Sequence, residues 1–212
     1  MFKLITGDVE RSDPDCADRI YKFRHDFFVE HLRWEACRKP DGLERDQFDG
    51  PDCLHVVGEE REEIVSYARL LPTIRPHLQS DLYPEILQGA EAPTGPRIYE
   101  WTRHAVALTK REARGSSAFA RAAFGAVAIA AEALDLQGLL VQTHPMLVDR
   151  LMDMGWDVVP LALPSQYEGA ILLPIFARLT DQTLAIAHSA LTDLGGARLH
   201  VPPAPMRQVA LH

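Results

Sequence analysis

Residues 54 to 71 read LHVVGEEREEIVSYARLL, and this stretch decides the fold class of the chain. Two runs rich in β-branched and aromatic residues, 54 to 59 and 63 to 71, flank the charged turn Glu60-Arg61-Glu62. Runs of this kind on either side of a short polar turn are typical of an antiparallel hairpin. The pattern therefore predicts two neighbouring strands of one sheet.

The next strand is predicted at residues 97 to 106, RIYEWTRHAV. In a regular pleat, Glu100 and His104 share one face, and Trp101 and Arg103 lie on the other. Glu100 and Arg103 come together only if a bulge intervenes, and bulges are common beside active sites.

Hydrophobic periodicity predicts the remaining elements. They are a strand at 2 to 6, helices at 16 to 32, from about 116 or 117, at 145 to 154 and at 181 to 194, and strands at 139 to 143, near 157 to 163 and at 170 to 178. This order favours a mixed sheet covered by helices, in the α/β or α+β class.

The length of 212 residues favours one domain over residues 1 to 212, with a tail from 195 to 212. The longest apolar stretch, 122 to 131, falls short of the roughly 20 residues that cross a bilayer, so no membrane partner is expected. The N-terminus lacks the apolar core of a secretory signal, and three cysteines without CxxC spacing suit reduced thiols. These features favour a cytoplasmic protein.

The distribution of charge is more informative than the net charge of −8. Residues 35 to 63 carry a local charge of −6, and residues 103 to 121 carry +4, so the two regions can attract a cation and an anion respectively. An acidic chain without a broad basic face is not expected to bind nucleic acid. The nine histidines show no HxH or HExxH spacing, so no metal site is expected.

Aromatic, basic and acidic residues follow one another in an order that suits a zwitterionic, cationic ligand: Arg24, Phe28, Trp34, Asp46, Asp49, Arg69, Glu100 and Arg103. This ordered set resembles the signature of the acyl-homoserine-lactone synthases, the bacterial autoinducer synthases of quorum sensing. The resemblance continues through RLLPT, YEWTRHAV and THPMLVDRLMDMGW, and covers roughly residues 20 to 160.

The resemblance implies an N-acetyltransferase-like fold, in which a central twisted sheet opens into a V-shaped cleft for an acyl-pantetheine arm. It also implies the reaction. The α-amine of S-adenosylmethionine attacks an acyl thioester, and the methionine carboxylate then closes a lactone and displaces methylthioadenosine. Both reactants are substrates, so no cofactor is expected, and the donor is either acyl-coenzyme A or an acyl-acyl carrier protein.

Glu100 is the expected base of the first step, because a protonated amine is not a nucleophile. From the residues alone, a structural Glu100 paired with Arg103 or Arg69 is as good an interpretation, and the resemblance favours the base or a residue that positions a water. Arg103 is assigned to the catalytic set and also as a clamp for the substrate carboxylate.

The other signature residues are assigned to S-adenosylmethionine. Asp46 and Asp49 would attract its ammonium and sulfonium groups, although a solvated acidic loop is the alternative from composition. Arg24 is expected either to pair with the substrate carboxylate or to lock the acidic loop. Arg69 is expected to be a buried ion-pair strut.

Two aromatic residues complete the assignment to S-adenosylmethionine. Phe28 and Trp34 would cover the adenine or the sulfonium by stacking and cation–π contact, and ordinary core packing is the alternative for Phe28.

Eight residues are assigned to the acyl-pantetheine arm: Trp101, Thr102, Val106, Lys110, Arg111, Arg114, Thr143 and Met146. The basic loop before the helix is expected to bind a pantetheine phosphate or an acidic carrier protein. Thr143 and Met146 would line the acyl tunnel. Trp101 would shorten it and favour short, branched or aryl acyl groups.

Two alternatives stay open from the sequence. The chain could be another N-acyltransferase of the same fold, or a non-catalytic protein that binds an acyl carrier or S-adenosylmethionine. The acyl chain, its carrier and the oligomeric state are also open.

Overall fold

The computed structural model describes residues 1–110, 117–167 and 169–202. The strands are β1 Phe2–Thr6, β2 Leu54–Glu60, β3 Glu63–Pro72, β4 Ile98–Val106, β5 Gly138–Thr143, β6 Asp157–Pro160, β7 Ser165–Tyr167, β8 Ala170–Arg178 and β9 Leu199–His200. The α-helices are α1 Val9–Ser12, α2 Pro14–Arg24, α3 Leu78–Asp81, α4 Ala118–Ala133, α5 Val148–Asp153 and α6 Asp181–Asp193. A π-helix covers His25–His31, and short 3₁₀ helices cover Glu35–Cys37, Pro84–Leu87, Leu108–Lys110 and Pro145–Leu147. None of the helices in these ranges is both long and apolar enough to cross a bilayer.

The strands form one mixed sheet in the order β6-β8-β5-β4-β3-β2-β1-β9. Strand β7 lies off this path and pairs with the N-terminal end of β8. The β2–β3 hairpin pairs antiparallel from Leu54 opposite Leu70 to Glu60 opposite Glu63, which confirms the predicted hairpin. The pairs β4–β5 and β1–β9 are parallel. The sheet is therefore mixed, as was expected for this fold class.

The sheet splits between β4 and β5. These strands pair only from Ile98 opposite Gly138 to Glu100 opposite Leu140. Beyond that point β4 continues along β3 as far as Val106, while β5 continues along β8 as far as Thr143. The split is the V-shaped cleft that the resemblance implies, and Glu100 lies at its apex.

Each face of the sheet packs on different helices. Helix α4 forms the main core with Leu70, Trp101 and Leu139 on one face. Helix α2 packs on the opposite face, where Ile20 contacts the cluster that contains Tyr67. Side chains of β3 and β4 that point toward α2 therefore reach a different compartment from those that point toward α4.

The helix predicted at 16 to 32 differs from the structure. The α-helix begins at Pro14 and ends at Arg24, and a π-helix continues the chain to His31. A π segment adds one residue to a helical turn and is frequent at functional sites. The predicted helix from 116 or 117 begins at Ala118 with Ser117 as its N-cap.

Several short elements were not predicted, among them α1, α3, β7, β9 and the 3₁₀ helices outside 145–154. Strand β9 lies in the segment predicted as a tail and pairs with Phe2 and Lys3 of β1. Strand β7 pairs with β8, and α3 lies in the proline-marked connection after β3.

Candidate active site

Six ionisable side chains form one cluster on the α2 face of β3 and β4, and we call it the ion cluster. Its members are Arg24, Arg69, Arg103, Glu44, Asp46 and Asp49. Three cationic groups face three carboxylates, so the cluster is formally neutral. Such a balance suits a ligand that carries charges of both signs.

Arg24 and Arg69 form the buried base of the ion cluster. Arg24 Nε donates to Glu44 Oε2 at 2.6 Å, and its Nη1 donates to Asp49 Oδ1 at 2.6 Å. Arg69 Nη1 donates to the same Asp49 oxygen at 2.9 Å and to Asp46 Oδ1 at 2.7 Å. Arg24 therefore locks the acidic loop, which is one of its two expected roles, and Arg69 is the predicted ion-pair strut.

The arginines set the charge state of the two inner acids. Burial opposes the ionisation of Asp49, but the Arg69 and Arg24 guanidinium groups hold the pKa of that carboxyl well below its usual value. The same balance lowers the pKa of Glu44, where Arg24 and Arg103 outweigh the effect of burial. Both carboxylates are therefore negative at neutral pH.

A β-bulge brings Arg103 into the ion cluster. Tyr67 pairs with Ala105 while Arg69 pairs with Thr102, so β4 carries one more residue than β3 in this interval. Arg103 has a φ of 54°, in the left-handed region that side chains rarely adopt. Its Nη2 donates to Glu44 Oε1 at 3.2 Å and to Asp46 Oδ2 at 3.4 Å. The bulge that the sequence required for Arg103 and Glu100 to share a face is therefore present.

Two aromatic rings cover the guanidinium of Arg103. Phe28 and Trp34 stack with centroids 5.0 Å apart and an interplanar angle of 26°. The Arg103 Cζ atom lies 5.6 Å from the Phe28 ring centre and 5.3 Å from that of Trp34. Phe28 is 2% exposed and Trp34 is 42% exposed. The Trp34 ring is thus an accessible wall beside a cation.

Glu100 is fully buried at the apex of the cleft, and it is held by backbone. Its two carboxylate oxygens accept hydrogen bonds from the N–H groups of Leu78, at 2.8 Å, and Gln79, at 2.9 Å. Arg69 and Arg103 instead donate to the acids of the ion cluster, so the structure does not contain the ion pair with either arginine that was the alternative interpretation of Glu100. The physical reason is α3, whose N-terminal N–H groups provide the donors.

The residues assigned to the acyl arm are distributed over several environments. Trp101 is buried on the α4 face, where its ring lies 5.6 Å from Phe124 and 6.0 Å from Trp156. Val106 belongs to the same core. The Thr102 hydroxyl accepts a hydrogen bond from Arg69 Nε at 3.0 Å, so this side chain faces the ion cluster.

Beyond the split, the acyl residues differ in exposure. Thr143 is buried at the end of β5, opposite Leu173. Met146 follows in a 3₁₀ helix and is 75% exposed, so it is not part of a closed tunnel wall here. Lys110 forms an ion pair with Glu60, and its Nζ lies 5.8 Å from the Phe119 ring centre. Arg111 and Arg114 lie outside the described residues.

Comparisons with known proteins decide the family. A family model described as autoinducer synthase matches residues 8–162. The chain belongs to the autoinducer synthase family. It is 37% identical to an acyl-homoserine-lactone synthase of Acinetobacter nosocomialis over 158 residues, which cover 71% of this chain and 85% of that protein.

Two further relatives extend the match. The isovaleryl-homoserine lactone synthase of Bradyrhizobium diazoefficiens is 29% identical over 182 residues, 82% of this chain and 78% of that protein. A solved structure of BjaI, a CoA-dependent acyl-homoserine lactone synthase with SAM and isopentyl-CoA, superposes with a TM-score of 0.87. That pair is 26% identical and covers 99% of this chain and 96% of the other.

The activity and the fold follow from this membership. This autoinducer synthase is an acyltransferase that makes an acyl-homoserine lactone by N-acylation of S-adenosylmethionine, followed by lactonisation with release of methylthioadenosine. Its sheet, open along the β4–β5 split, has the N-acetyltransferase-like fold that the resemblance implied.

Three residues that support the site of this synthase, Glu44, Tyr67 and His55, were not predicted from the sequence. Glu44 pairs with both Arg24 and Arg103 but was counted only as part of an acidic loop. Tyr67 accepts from Arg24 Nη1 at 3.4 Å, and its hydroxyl lies 2.7 Å from His55 Nδ1. Tyr67 and Arg69 are two residues apart on a predicted strand, and this spacing alone could have predicted that their side chains lie on the same face of the sheet.

Asp49, Cys53 and His55 lie close enough together to suggest a metal site, with potential ligand atoms within 4.8 Å of one another. Burial lowers the pKa of His55 to about 3 and raises the pKa of the Cys53 thiol. The Asp49 oxygen already accepts from two arginines. Two cations at this oxygen and a neutral thiol do not suit a metal ion.

Proposed function

We propose that this synthase makes a short-chain acyl-homoserine lactone from S-adenosylmethionine and an acyl-coenzyme A, as a single cytoplasmic domain over residues 1 to 212. The observation that carries the proposal is the neutral ion cluster next to the β4–β5 split, because it combines a site for a charged amino acid with a cleft for a thioester arm. The BjaI structure superposes on 99% of this chain and is described as CoA-dependent, and this supports coenzyme A as the carrier.

Exposure divides the ion cluster into supporting and ligand-binding members. The side chains of Arg24, Arg69 and Asp49 are buried at its base. The side chains of Asp46 and Arg103 are 17% and 9% exposed. Asp46 and Asp49 both line a polar cleft of about 560 Å³, so the difference in exposure is what distinguishes the two acids. We assign the direct contacts with S-adenosylmethionine to Asp46 and Arg103, and a positioning role to the three buried residues.

The two outer side chains suit opposite parts of the substrate. The Asp46 carboxylate attracts the ammonium or the sulfonium, and Arg103 binds the methionine carboxylate. Phe28 and Trp34 provide an aromatic wall against which a sulfonium or an adenine ring packs. Fixing the amine in this way before reaction removes part of the entropic barrier to attack on the thioester.

Glu100 acts as the proton acceptor of acylation through a bridging water, because its carboxylate is fully buried and already held by Leu78 and Gln79. The amine gives up a proton, its nitrogen bonds to the thioester carbonyl carbon, and coenzyme A leaves as the thiol. The methionine carboxylate oxygen then attacks Cγ of the same substrate, and the C–S bond breaks to release methylthioadenosine. No redox partner is needed.

Trp101 supports a short acyl group. It is the first residue of β4 beyond the split, and its ring packs with Phe124 and Trp156 behind the apex. Aromatic rings at this position limit the depth of the cleft. We assign binding of the coenzyme A phosphates to Lys110, Arg111 and Arg114, since the N-terminus of α4 begins immediately after them and its dipole favours anions.

Steady-state kinetics with one acyl group on two carriers test the proposal. Isovaleryl-coenzyme A and the same group on acyl carrier protein are compared at saturating S-adenosylmethionine, and we expect coenzyme A to give the higher kcat/KM. Asp46→Asn should raise the KM for S-adenosylmethionine, while Asp193→Asn, an exposed aspartate of α6, should leave it unchanged. Equal KM values for Asp46→Asn and the wild type would contradict the assignment.

A further inference from the structure

A pair of glutamines bridges the two arms of the cleft. Gln79 lies in α3, and its backbone N–H donates to Glu100 of β4. Its side-chain Oε1 accepts a hydrogen bond at 2.8 Å from Nε2 of Gln142, which lies on β5 beyond the last β4–β5 pair. The Gln79 carboxamide is therefore held between β4 and β5, beside the apex.

The Gln79 amide has a donor that is not used. Gln79 is 1% exposed, and its Nε2 has no hydrogen-bond partner among the described residues. A buried N–H without an acceptor costs free energy, so buried donors are almost always paired, and the acceptor of this group is a water or a ligand. The Oε1 atom is fixed by Gln142, which also fixes the direction of the unused N–H group.

A second unused donor lies next to the same apex. The indole Nε1 of Trp101, the residue that follows Glu100, is also buried without a partner in the described chain. Trp101 packs on the α4 face of the sheet, whereas Glu100 is held by the backbone of α3. Buried donors without a partner among the described residues therefore lie on both faces of the sheet at the point where it opens, and the Gln79 amide is the one held between the two arms of the cleft.

We infer that Gln79 determines acyl specificity, and that it favours acyl groups with a hydrogen-bond-accepting oxygen near the thioester over alkyl groups of equal length. The inference rests on the proposed position of the thioester at the apex beside Glu100. The oxygen must be close to the thioester carbon, because Gln79 contacts Glu100 through its own backbone. Gln142 is a positioning residue that orients the Gln79 amide.

Matched thioesters test this inference. Butanoyl-coenzyme A and 3-hydroxybutanoyl-coenzyme A have the same carbon chain and differ in one oxygen. Binding of each to the purified protein is measured by calorimetry without S-adenosylmethionine, and turnover is measured separately with it. We expect the wild type to bind the hydroxylated thioester about tenfold more tightly, which corresponds to about 1.4 kcal/mol.

Variants assign the preference to the amide. Gln79→Leu removes the donor, and Gln79→Met removes it while keeping the length of the side chain. The test needs only one of the two variants to fold. Either should bring the two affinities to within about twofold of each other, whereas Gln137→Leu, an exposed glutamine before β5, should keep the wild-type ratio. Gln142→Leu should reduce the ratio to an intermediate value.

The outcomes separate this inference from the proposed function. Equal affinities in the wild type, or a ratio that survives in Gln79→Leu, would overturn the specificity role. An equal loss of turnover with both thioesters at an unchanged affinity ratio would also overturn it. Binding preference that depends on Gln79, without any lactone formed in the presence of S-adenosylmethionine, would support the inference and contradict the proposed function.

Discussion

Replacement of Asp49 by asparagine tests whether the ion cluster is a coupled unit. Asp49 Oδ1 is the shared acceptor of Arg24 Nη1 and Arg69 Nη1, at 2.6 and 2.9 Å. The substitution keeps the volume but removes the charge, so two buried guanidinium groups lose a counter-ion. Breaking a buried ion pair by removing one partner costs about 3–5 kcal/mol. We expect Asp49→Asn to lower the free energy of unfolding at pH 7 by that amount.

The loss should depend on pH with a defined sign. Burial opposes ionisation of Asp49, but the two arginines hold its pKa in the folded state below the unfolded value of about 3.9. Ionised Asp49 therefore stabilises the fold above about pH 4, and this contribution falls by about 1.4 kcal/mol per pH unit below that value. Because asparagine does not titrate, the difference between wild type and variant should shrink from about pH 4 toward pH 3.

Urea unfolding followed by tryptophan fluorescence at pH 7, 4 and 3 measures this difference. Asp193→Asn, an exposed aspartate of α6, serves as a control and should change stability by less than about 0.5 kcal/mol. A loss under about 1 kcal/mol for Asp49→Asn at pH 7, or a difference that does not change with pH, would refute the coupled cluster.

Three further substitutions test individual assignments. Glu100→Gln should lower kcat by about a hundredfold or more while the Kd for S-adenosylmethionine stays within a few-fold, and an unchanged kcat would remove Glu100 from the proton transfer. Trp34→Ala should weaken S-adenosylmethionine binding by about tenfold, with a smaller effect on stability than the loss of a fully buried aromatic residue, because the ring is 42% exposed. Isothermal calorimetry checks the first expectation and thermal unfolding the second. Trp101→Leu should raise kcat/KM for hexanoyl-coenzyme A relative to isovaleryl-coenzyme A by about tenfold, and an unaltered ratio would show that Trp101 does not limit the acyl pocket.

Local patterns were sufficient for the large elements of the fold. Strands β2 and β3 were predicted because two runs rich in β-branched and aromatic residues and the charged turn between them lie within 18 neighbouring residues. The π-helix at His25–His31 was not predicted, since its residues fit an ordinary α-helix equally well by periodicity. Strand β9 has two residues and depends on pairing with β1, almost 200 residues away, so no local signal marks it.

The members of the site that belong to the signature order of residues could be predicted from the sequence. The contacts between residues far apart in the chain could not. The bulge at Arg103 was anticipated as a condition, because only an added residue places Arg103 and Glu100 on one face. The hold of α3 on Glu100 was missed, because Leu78 and Gln79 act through backbone N–H groups that no side-chain pattern reveals. Glu44 gained its role only from arginines 20 and 59 residues away.

The most direct test of the central claim is mass spectrometry of the products formed from an acyl-coenzyme A and S-adenosylmethionine labelled with carbon-13 in its four-carbon aminobutyryl part. We expect an acyl-homoserine lactone that carries the whole label, together with an equal amount of unlabelled methylthioadenosine. An acylated open-chain product without methylthioadenosine, or binding of S-adenosylmethionine without any acylated product, would contradict it.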